Sequence, residues 1–461
     1  MVAGLSVLRV VSNDELVRRE KEAAAAELAA RQNQPYIIGL TAYLRQCWEA
    51  ARDAKRPIET KMLKAMRQRN GEYDPDKLNA IRAQGGSEVY MMITEVKCRA
   101  AESWLRDILL DTGTPPWDLQ PTPIPDLDPE TDAMLEQTFA NAVAMMIQQN
   151  GMAPSPAEMN TLKELVSQDY RFKLLQEAQN RVERMRNKIA DQFAQGGWEE
   201  AFNDFITDLV TFPTAFIKGP VVRRQRSLGW EQDETGRTVA APTERLAPEY
   251  ERVDPFKIYP EPGITKMNEG YVFEHHPMTR TQLADLIGVP GYDEQAVRAV
   301  LDMGAGSSWV FDDIKFQKEE QERKFQSIRR PTEIFDALEF WGRISGKMLV
   351  EWGMSEEDVP DPAREYDACV WIVGNYVIKA VLNYDPMGES PYTSTSFIKQ
   401  PGAFWGKGIP EIIEDLQAVC NAAARGLVNN MGIASGPQVE VNLERIPANE
   451  DITQIHPWKI W

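Results

Sequence analysis

The periodicity of apolar residues changes near residue 215, and this change constrains the fold more than any other feature of the chain. Before it, apolar residues recur three or four positions apart, as they do in amphipathic helices. After it, the segments AFIKGPVVRRQRSLGW and YERVDPFKIYPEPG are short β-type runs interrupted by glycine and proline. The sequence therefore predicts an α+β fold whose first half is mainly helical.

Most of the first half is predicted to form helices. In the segment 87–110, apolar residues spaced by three or four predict one buried face, and they are Val89, Ile93, Val96, Ala100, Trp104 and Ile108. Six prolines between Thr112 and Pro129 predict an extended connection. The predicted helices cover residues 12–32, 38–55, 87–110, 130–150, 155–195 and 198–211.

Short strands and short helices alternate in the prediction for the second half. Helices are expected over 281–288 and about 293–303, and several strands between 332 and 400. Gly374-Asn375 lies between the β-rich runs WIV and YVI, which predicts a two-residue hairpin turn with positive φ.

A helix of about 22 residues over 409–432 is the best specified element. Pro410 suits its first turn, and Glu411, Glu414 and Asp415 place negative charge at the positive end of the helix dipole. Its apolar residues alternate spacings of four and three, which predicts packing along another helix over the whole length. This seam consists of Ile412, Leu416, Val419, Ala423, Leu427 and Met431.

Composition narrows the classes of function. The 461 residues suffice for roughly two to four domains, and 70 acidic against 51 basic residues give a net charge of −19. This balance disfavours a protein that binds DNA tightly, because phosphate binding depends on lysine and arginine.

No stretch approaches the roughly 20 apolar residues of a membrane-spanning helix. Four dispersed cysteines and three histidines predict a reduced, cytosolic protein without a zinc site of the usual kinds.

Motifs for catalysis are missing from the sequence. It contains neither a G-x-x-x-x-G-K-[ST] loop nor a G-x-S-x-G elbow. The glycines from Gly402 to Gly408 favour a strand-to-helix hinge over a phosphate cradle, since Pro410 lacks an N–H. In Glu274-His275-His276, adjacent side chains on a strand point to opposite faces, which favours a structural role over metal binding. We therefore predict no catalytic residue, cofactor or metal.

The C-terminal third resembles the portal proteins of tailed double-stranded DNA bacteriophages, most closely those of short-tailed phages. The most specific segment is GKGIPEIIEDLQAVCNAAARGLVNNMGIASGP, in which a G-x-G-I-P start precedes the helix. The runs FWGRISGKMLVEWG and VWIVGNYVIKAVLNYDP, together with CWEAARDAKRPIE and RVDPFKIYPEPG, extend the resemblance over most of the chain.

The resemblance implies a ring, usually of twelve subunits, at one vertex of the capsid in the virion, assembled in the host cytoplasm. Double-stranded DNA would enter through its channel, driven by the terminase large subunit, and later leave into the tail. Further implied partners are head-to-tail adaptor proteins and capsid and scaffolding proteins, without a membrane. The implied portal fold has a wing, a stem, a β-containing clip and a crown.

These regions can be assigned along the sequence on the same resemblance. The first stem helix would lie at 281–303 or in the charged run 313–329. The strand at 438–442 would return to the wing, and the implied crown is missing. Either this family member is short or the sequence is truncated at Trp461, and we favour truncation. The implied regions are 1–255 (mainly helical wing with an N-terminal arm), 256–330 (wing to stem), 331–405 (clip), 406–432 (second stem helix and channel-approaching turn) and 433–461 (return to the wing).

Polar residues of the 409–432 helix are candidates to line the implied channel. Amides there would touch passing DNA without holding it, and acidic residues would repel phosphates, so the duplex could slide. Complementing the helix dipole explains the acidic residues equally well. The candidates are Glu411, Glu414, Asp415, Gln417, Asn421, Asn429 and Asn430. Two alternatives are another multimeric virion or head-to-tail adaptor protein without a direct DNA role, and an enzyme using scattered carboxylates with Mg²⁺.

Overall fold

A computed structural model describes residues 35–110, 117–121, 129–150, 155–232, 238–304, 317–318, 334–355 and 357–435. Helices dominate the first part of the described chain, and the bounds of those before residue 215 are α1 Pro35–Asn70, α2 Pro75–Ala83, α3 Ile93–Leu109, α4 Pro129–Asn150, α5 Pro156–Gln195 and α6 Trp198–Thr211. The helices predicted over 130–150, 155–195 and 198–211 are therefore confirmed, whereas the predicted helix 12–32 lies outside the described residues.

Strands begin at Ala215, as the change of period predicts, so the α+β class is confirmed. They are β1 Ala215–Gln232, β2 Thr238–Val253, β3 Ile258–Pro260, β4 Val272–Thr279, β5 Ile334–Ser345, β6 Glu365–Val373, β7 Tyr376–Leu382 and β8 Tyr392–Thr395. They form two antiparallel sheets, one ordered β2-β1-β8 and the other β3-β4-β5-β6-β7. The α-helices that the structure describes after residue 215, apart from the two helical residues 317–318, are α7 Arg280–Ala284, α8 Glu294–Met303, α9 Gly346–Trp352, α10 Ile409–Ile412 and α11 Glu414–Ser435.

Helix α1 packs on one face of the five-stranded sheet. Its apolar residues Leu40, Leu44 and Trp48 recur every fourth position and are buried against Phe273 and Phe340. Such a stripe on a helix is stable only when it is covered by another layer of structure. This contact places the first helix of the described chain and the later strands in one hydrophobic core.

Helix α1 runs well past residue 55, where the predicted helix ends, and it includes Pro57. Its second half is held by Met62 and Leu63, which are buried against Phe212 and Phe256. Tertiary packing therefore outweighs the local cost of the proline.

The opposite face of the five-stranded sheet is covered by the short helices α7 and α8. Leu283 and Val297 are buried against Phe335 and Ile378 of the sheet. The prediction of a stem helix over 281–303 is therefore wrong, because a turn separates the two helices and both pack on strands. The alternative position 313–329 lies outside the described residues, apart from 317–318.

The predicted clip, residues 331–405, does not coincide with a separate sheet. Strand β4 pairs with β5 from Val272–Trp341 to Thr279–Ile334, so strands before residue 331 belong to the same sheet. Strand β8 instead pairs with β1 in the other sheet. The boundary at 330/331 is wrong as a structural division, because strand pairing crosses it.

The hairpin predicted at Gly374-Asn375 is confirmed. Val373 pairs with Tyr376 across the two-residue turn, and Gly374 has φ +56°, the left-handed region that glycine adopts without strain.

Candidate functional site

The 409–432 helix is two helices, α10 and α11, separated at Ile413. Pro410 lies in the first turn of α10, as predicted, and Gly408 precedes it. A Cβ at Gly408 would lie within 3 Å of the carbonyl oxygens of Thr211 and Phe212, so only glycine fits there. Ile409 is buried in the core with Ile413 packed against the same cluster, and this fixes where α11 starts.

The buried face of α11 is polar. Gln417 is 2% exposed, and its Oε1 accepts hydrogen bonds from the backbone N–H of Thr94 (3.1 Å) and from its hydroxyl (2.9 Å). The Gln417 amide group donates to Asn421 Oδ1 (2.9 Å) and to the carbonyl oxygen of Met91. Asn421 Oδ1 also accepts from the Met91 N–H (2.8 Å). These amides satisfy backbone groups at the start of α3, which has no side-chain cap of its own.

Asn429 continues this row of contacts. Its Oδ1 accepts from the backbone N–H of Ser87 at 2.8 Å, so the segment from Ser87 to Thr94 lies antiparallel along α11. The prediction that Gln417 and Asn421 touch DNA in a channel is wrong, because both are buried against this segment. Asn430 is exposed, and its channel-facing role stays a prediction.

The acidic residues at the start of α10 and α11 lie beside lysines of α1. Glu411 pairs with Lys61 at 3.1 Å, and Glu414 pairs with Lys64. Both pairs are partly solvent-exposed, so they compensate charge locally in addition to complementing the helix dipole. Asp415 is exposed at the edge of the apolar seam.

The apolar seam of α11 faces outward. Leu416 is 56% exposed and Val419 is 66% exposed. The other seam residues are also exposed: Ile412, Ala423, Leu427 and Met431. The prediction that the seam packs along another helix is therefore wrong within one chain, because α11 turns its amide face toward the core. A contiguous exposed apolar face of this kind is typical of an interaction site.

Helix α3 shows the same inversion. Its buried residues are Thr94, Cys98 and Glu102, whereas Val96 and Trp104 of the predicted buried face are exposed. Glu102 pairs with Arg69 of α1 at 2.7 Å, so the polar side of α3 faces the interior of the protein. The predicted buried face of 87–110 is wrong, and the helix begins only at residue 93.

A buried charge cluster joins the two sheets. Lys218 of β1 donates hydrogen bonds to Glu274 of β4 (2.8 Å) and to Glu339 of β5 (2.5 Å). Tyr392 of β8 donates to Glu274 at 2.6 Å, and His276 Nε2 lies 2.8 Å from Glu339 and 3.2 Å from Glu274. Two carboxylates thus face one ammonium and one imidazole, and the cluster is electrically neutral when His276 is protonated.

Burial and pairing act in opposite directions on the pKa values of this cluster. Burial raises the pKa of the Glu339 carboxyl, but the Lys218 ammonium and the His276 imidazole outweigh it and hold that pKa far below its usual range. Burial lowers the pKa of Lys218, but Glu339 and Glu274 outweigh it and raise that pKa above its usual range. Both groups therefore stay charged near neutral pH.

Glu274, His276 and Glu339 form a constellation that could hold a metal ion, since one ligand atom of each lies within 4.8 Å of the others. The Lys218 ammonium, however, binds the same carboxylate oxygens that a cation would use. The chain's own ammonium therefore serves as the cation. His275 instead contacts Asp336 at 2.7 Å, which confirms that neighbouring imidazoles face opposite sides of the strand.

Sequence reasoning missed two buried lysines. Lys218 is one, and Lys55 of α1 is the other: its ammonium donates to the carbonyl oxygen of Phe256 at 2.7 Å and lies 3.8 Å from the ring centroid of Tyr259. Burial lowers the pKa of Lys55 to about 8. Lys55 also pairs with buried Glu59 at 3.4 Å one helical turn later, a spacing that could have indicated it, whereas the carboxylates that bind Lys218 are far away along the chain.

Stability should depend on pH through His276. Burial lowers the pKa of His276, but hydrogen bonds with Glu274 and Glu339 outweigh it, so the folded-state pKa lies above 6.5. The stabilisation is thus complete below pH 6.5 and is lost as the pH rises through the folded-state pKa, by about 1.4 kcal/mol for each unit between the two values. Urea unfolding curves from pH 6 to 9 would measure this loss. His276→Gln should flatten that part of the profile, and an unchanged profile would contradict the assignment.

No protein-family model and no curated protein matches this chain. Among the described helices, none combines the length and the apolar character needed to cross a membrane.

Proposed function

We propose that this chain is a subunit of a phage portal, a homo-oligomeric ring at one capsid vertex through which double-stranded DNA is packaged, retained and ejected. Two observations support the proposal: the resemblance of the C-terminal third to portal proteins, and the exposed apolar seam of α11. In this proposal the ring has twelve subunits and contacts the terminase large subunit, head-to-tail adaptor proteins, and capsid and scaffolding proteins. Its location is the virion, with assembly in the host cytoplasm.

The observation that carries the proposal is the combination of a firmly anchored helix with an uncovered apolar face. Gln417 and Asn421 fix α11 on the chain, and the seam that includes Leu416 and Val419 is left to solvent. A ring that closes by rotation needs two different complementary surfaces on every subunit. An exposed helix face of this length supplies one of them.

The charge balance supports a conduit. A net charge of −19 disfavours tight binding of DNA phosphates, and a channel needs such weak binding because the duplex must slide through it. Each additional lysine–phosphate contact would add affinity and therefore friction.

Negative-stain microscopy with a mass measurement tests the proposal. We expect rings with an axial hole wide enough for a DNA duplex. A purified full chain that stays monomeric at micromolar concentration would overturn the portal. Closed multimers without a hole would favour an adaptor. Divalent-dependent hydrolysis of DNA or ATP, abolished by carboxylate substitutions, would favour an enzyme.

Leu416→Asp should prevent ring assembly. Because Leu416 is largely exposed in one chain, the variant should fold normally, but in the ring it would bury an unpaired carboxylate and weaken association by about a hundredfold or more. Sedimentation and ring counts in micrographs would measure the effect. The matched control is Ala422→Asp, which adds the same charge at an exposed position of α11 off the seam. Normal rings in Leu416→Asp would show that the seam is not an interface.

A further inference from the structure

Helix α3, like α11, carries an apolar face that no described part of the chain covers. Trp104 is 70% exposed, and Val96 and Ile108 on the same side of the helix are 63% and 65% exposed. Ala100 lies between Val96 and Trp104 and is also exposed. These four residues, which we call the α3 stripe, recur every fourth position and therefore form one row. An exposed tryptophan within an apolar row is typical of a protein–protein contact.

We propose that the α3 stripe packs on the α11 seam of a neighbouring copy of the chain, with the two helices side by side and parallel. The inference deepens the proposed function and rests on it, since it names the two surfaces that meet between subunits. Trp104 and Val419 are both largely exposed in the single chain, so the two faces do not cover each other within it. One chain thus carries two different helix faces, as a ring that closes by rotation requires.

Side-chain sizes on the two faces are complementary in one parallel register. Placing Trp104 opposite Ala423 sets the largest side chain of the stripe over the smallest side chain of the seam, as interdigitating helices require. A Cβ added at Gly426 would meet nothing within 4 Å, so the surface beside Ala423 is open to an indole ring. In this register the facing pairs are Val96 with Leu416, Ala100 with Val419, Trp104 with Ala423 and Ile108 with Leu427.

Charge favours the same register and the parallel direction. Lys97 is exposed on α3, seven residues before Trp104. Asp415 is exposed at the start of α11, eight residues before Ala423, so the register that the sizes select also places the Lys97 ammonium near the Asp415 carboxylate. The antiparallel direction would instead turn exposed Asp107 toward the acidic start of α11. Opposite charges at matching positions fix the orientation of an interface.

Cross-linking between two differently tagged chains tests the contact. One chain carries Ala100→Cys and the other carries Val419→Cys. Both also carry Cys47→Ser and Cys420→Ser, and their remaining native cysteines are buried. After the full chains assemble together, a short bismaleimide should give a covalent dimer that carries both tags. Peptide mapping should find residue 100 of one chain joined to residue 419 of the other.

The products of this reaction separate the alternatives. Arg99→Cys in place of Ala100→Cys moves the thiol off the stripe and should lose most of the cross-linked dimer. Dimers with one tag, joined through residue 100 of both chains, would show that two α3 stripes meet each other and would overturn this inference. Rings that form but never join 100 to 419 would also overturn it and leave the portal proposal standing. Absence of any multimer would overturn both.

A charge exchange tests the register independently. Lys97→Glu should weaken association about fivefold or more, because it sets a second carboxylate beside Asp415. Adding Asp415→Lys to the same chain should restore most of the loss, since the pair forms again with its charges exchanged. Sedimentation at low and high salt measures both variants, and the difference between them should shrink at high salt. A double variant that assembles no better than Lys97→Glu would overturn the parallel register.

Discussion

Replacing Lys218 by methionine is expected to lower the free energy of unfolding by about 3–5 kcal/mol, because it leaves buried carboxylates without their cation. Glu274 and Glu339 both bind the Lys218 ammonium and are themselves almost fully buried. The methionine side chain is only one heavy atom shorter than that of lysine, so the loss measures charge pairing more than packing. Equilibrium urea unfolding at pH 7, followed by circular dichroism, is the measurement.

The matched control is Lys61→Met, which removes an ammonium from the exposed pair with Glu411. An exposed pair of this kind is worth at most about 1 kcal/mol. The triple variant Lys218→Met, Glu274→Gln, Glu339→Gln removes the charges together and should recover part of the lost stability. If Lys218→Met loses no more than Lys61→Met, or if the triple variant recovers nothing, charge pairing is not what stabilises this cluster.

Gln417→Ala is expected to cost about 2–4 kcal/mol, since it leaves several buried polar groups without hydrogen bonds. The Thr94 N–H and the Met91 carbonyl oxygen both lose a partner, and Asn421 loses one donor. The start of α3 should therefore loosen from α11. Hydrogen exchange at the Thr94 amide should accelerate together with the fall in unfolding free energy.

Asn430→Ala is the comparison for Gln417→Ala, because Asn430 is an exposed amide on the same helix. A surface substitution of this kind changes stability by about 0.5 kcal/mol or less. Equal effects of the two variants, or unchanged exchange at Thr94, would contradict a role for Gln417 in holding the segment from Ser87 to Thr94.

The sequence predicts helices better than it predicts which face they bury. Periodicity correctly placed most helices and the Gly374-Asn375 turn, because these depend on local spacing and local turn chemistry. It assigned the wrong buried face to α3 and α11, since an apolar stripe has the same spacing whether its own chain or another copy covers it. In both helices, buried polar residues such as Glu102 and Gln417 decide the orientation, and their partners are distant in sequence.

The charge cluster lay beyond sequence reasoning for a related reason. Lys218 is 56 residues from Glu274 and 121 residues from Glu339, so no motif of fixed spacing connects them. The boundary predicted at residue 331 is wrong for the same reason. Strand β4 pairs with β5, and these strands are separated in sequence by α7, α8 and the chain between them. Local patterns identify strands, but the three-dimensional pairing selects their neighbours.

Lys218 is also the last residue of β1 that pairs with β8, and among the described strands only β2 pairs with β1 beyond it. Its bonds to Glu274 and Glu339 therefore connect the base of the hairpin to strands β4 and β5, which pack on α1. The ion pair of Arg252 with Asp208 holds the same base on α6 at 2.6 Å. The direction in which the hairpin leaves the body of the protein is therefore set by buried charge pairs as well as by strand pairing.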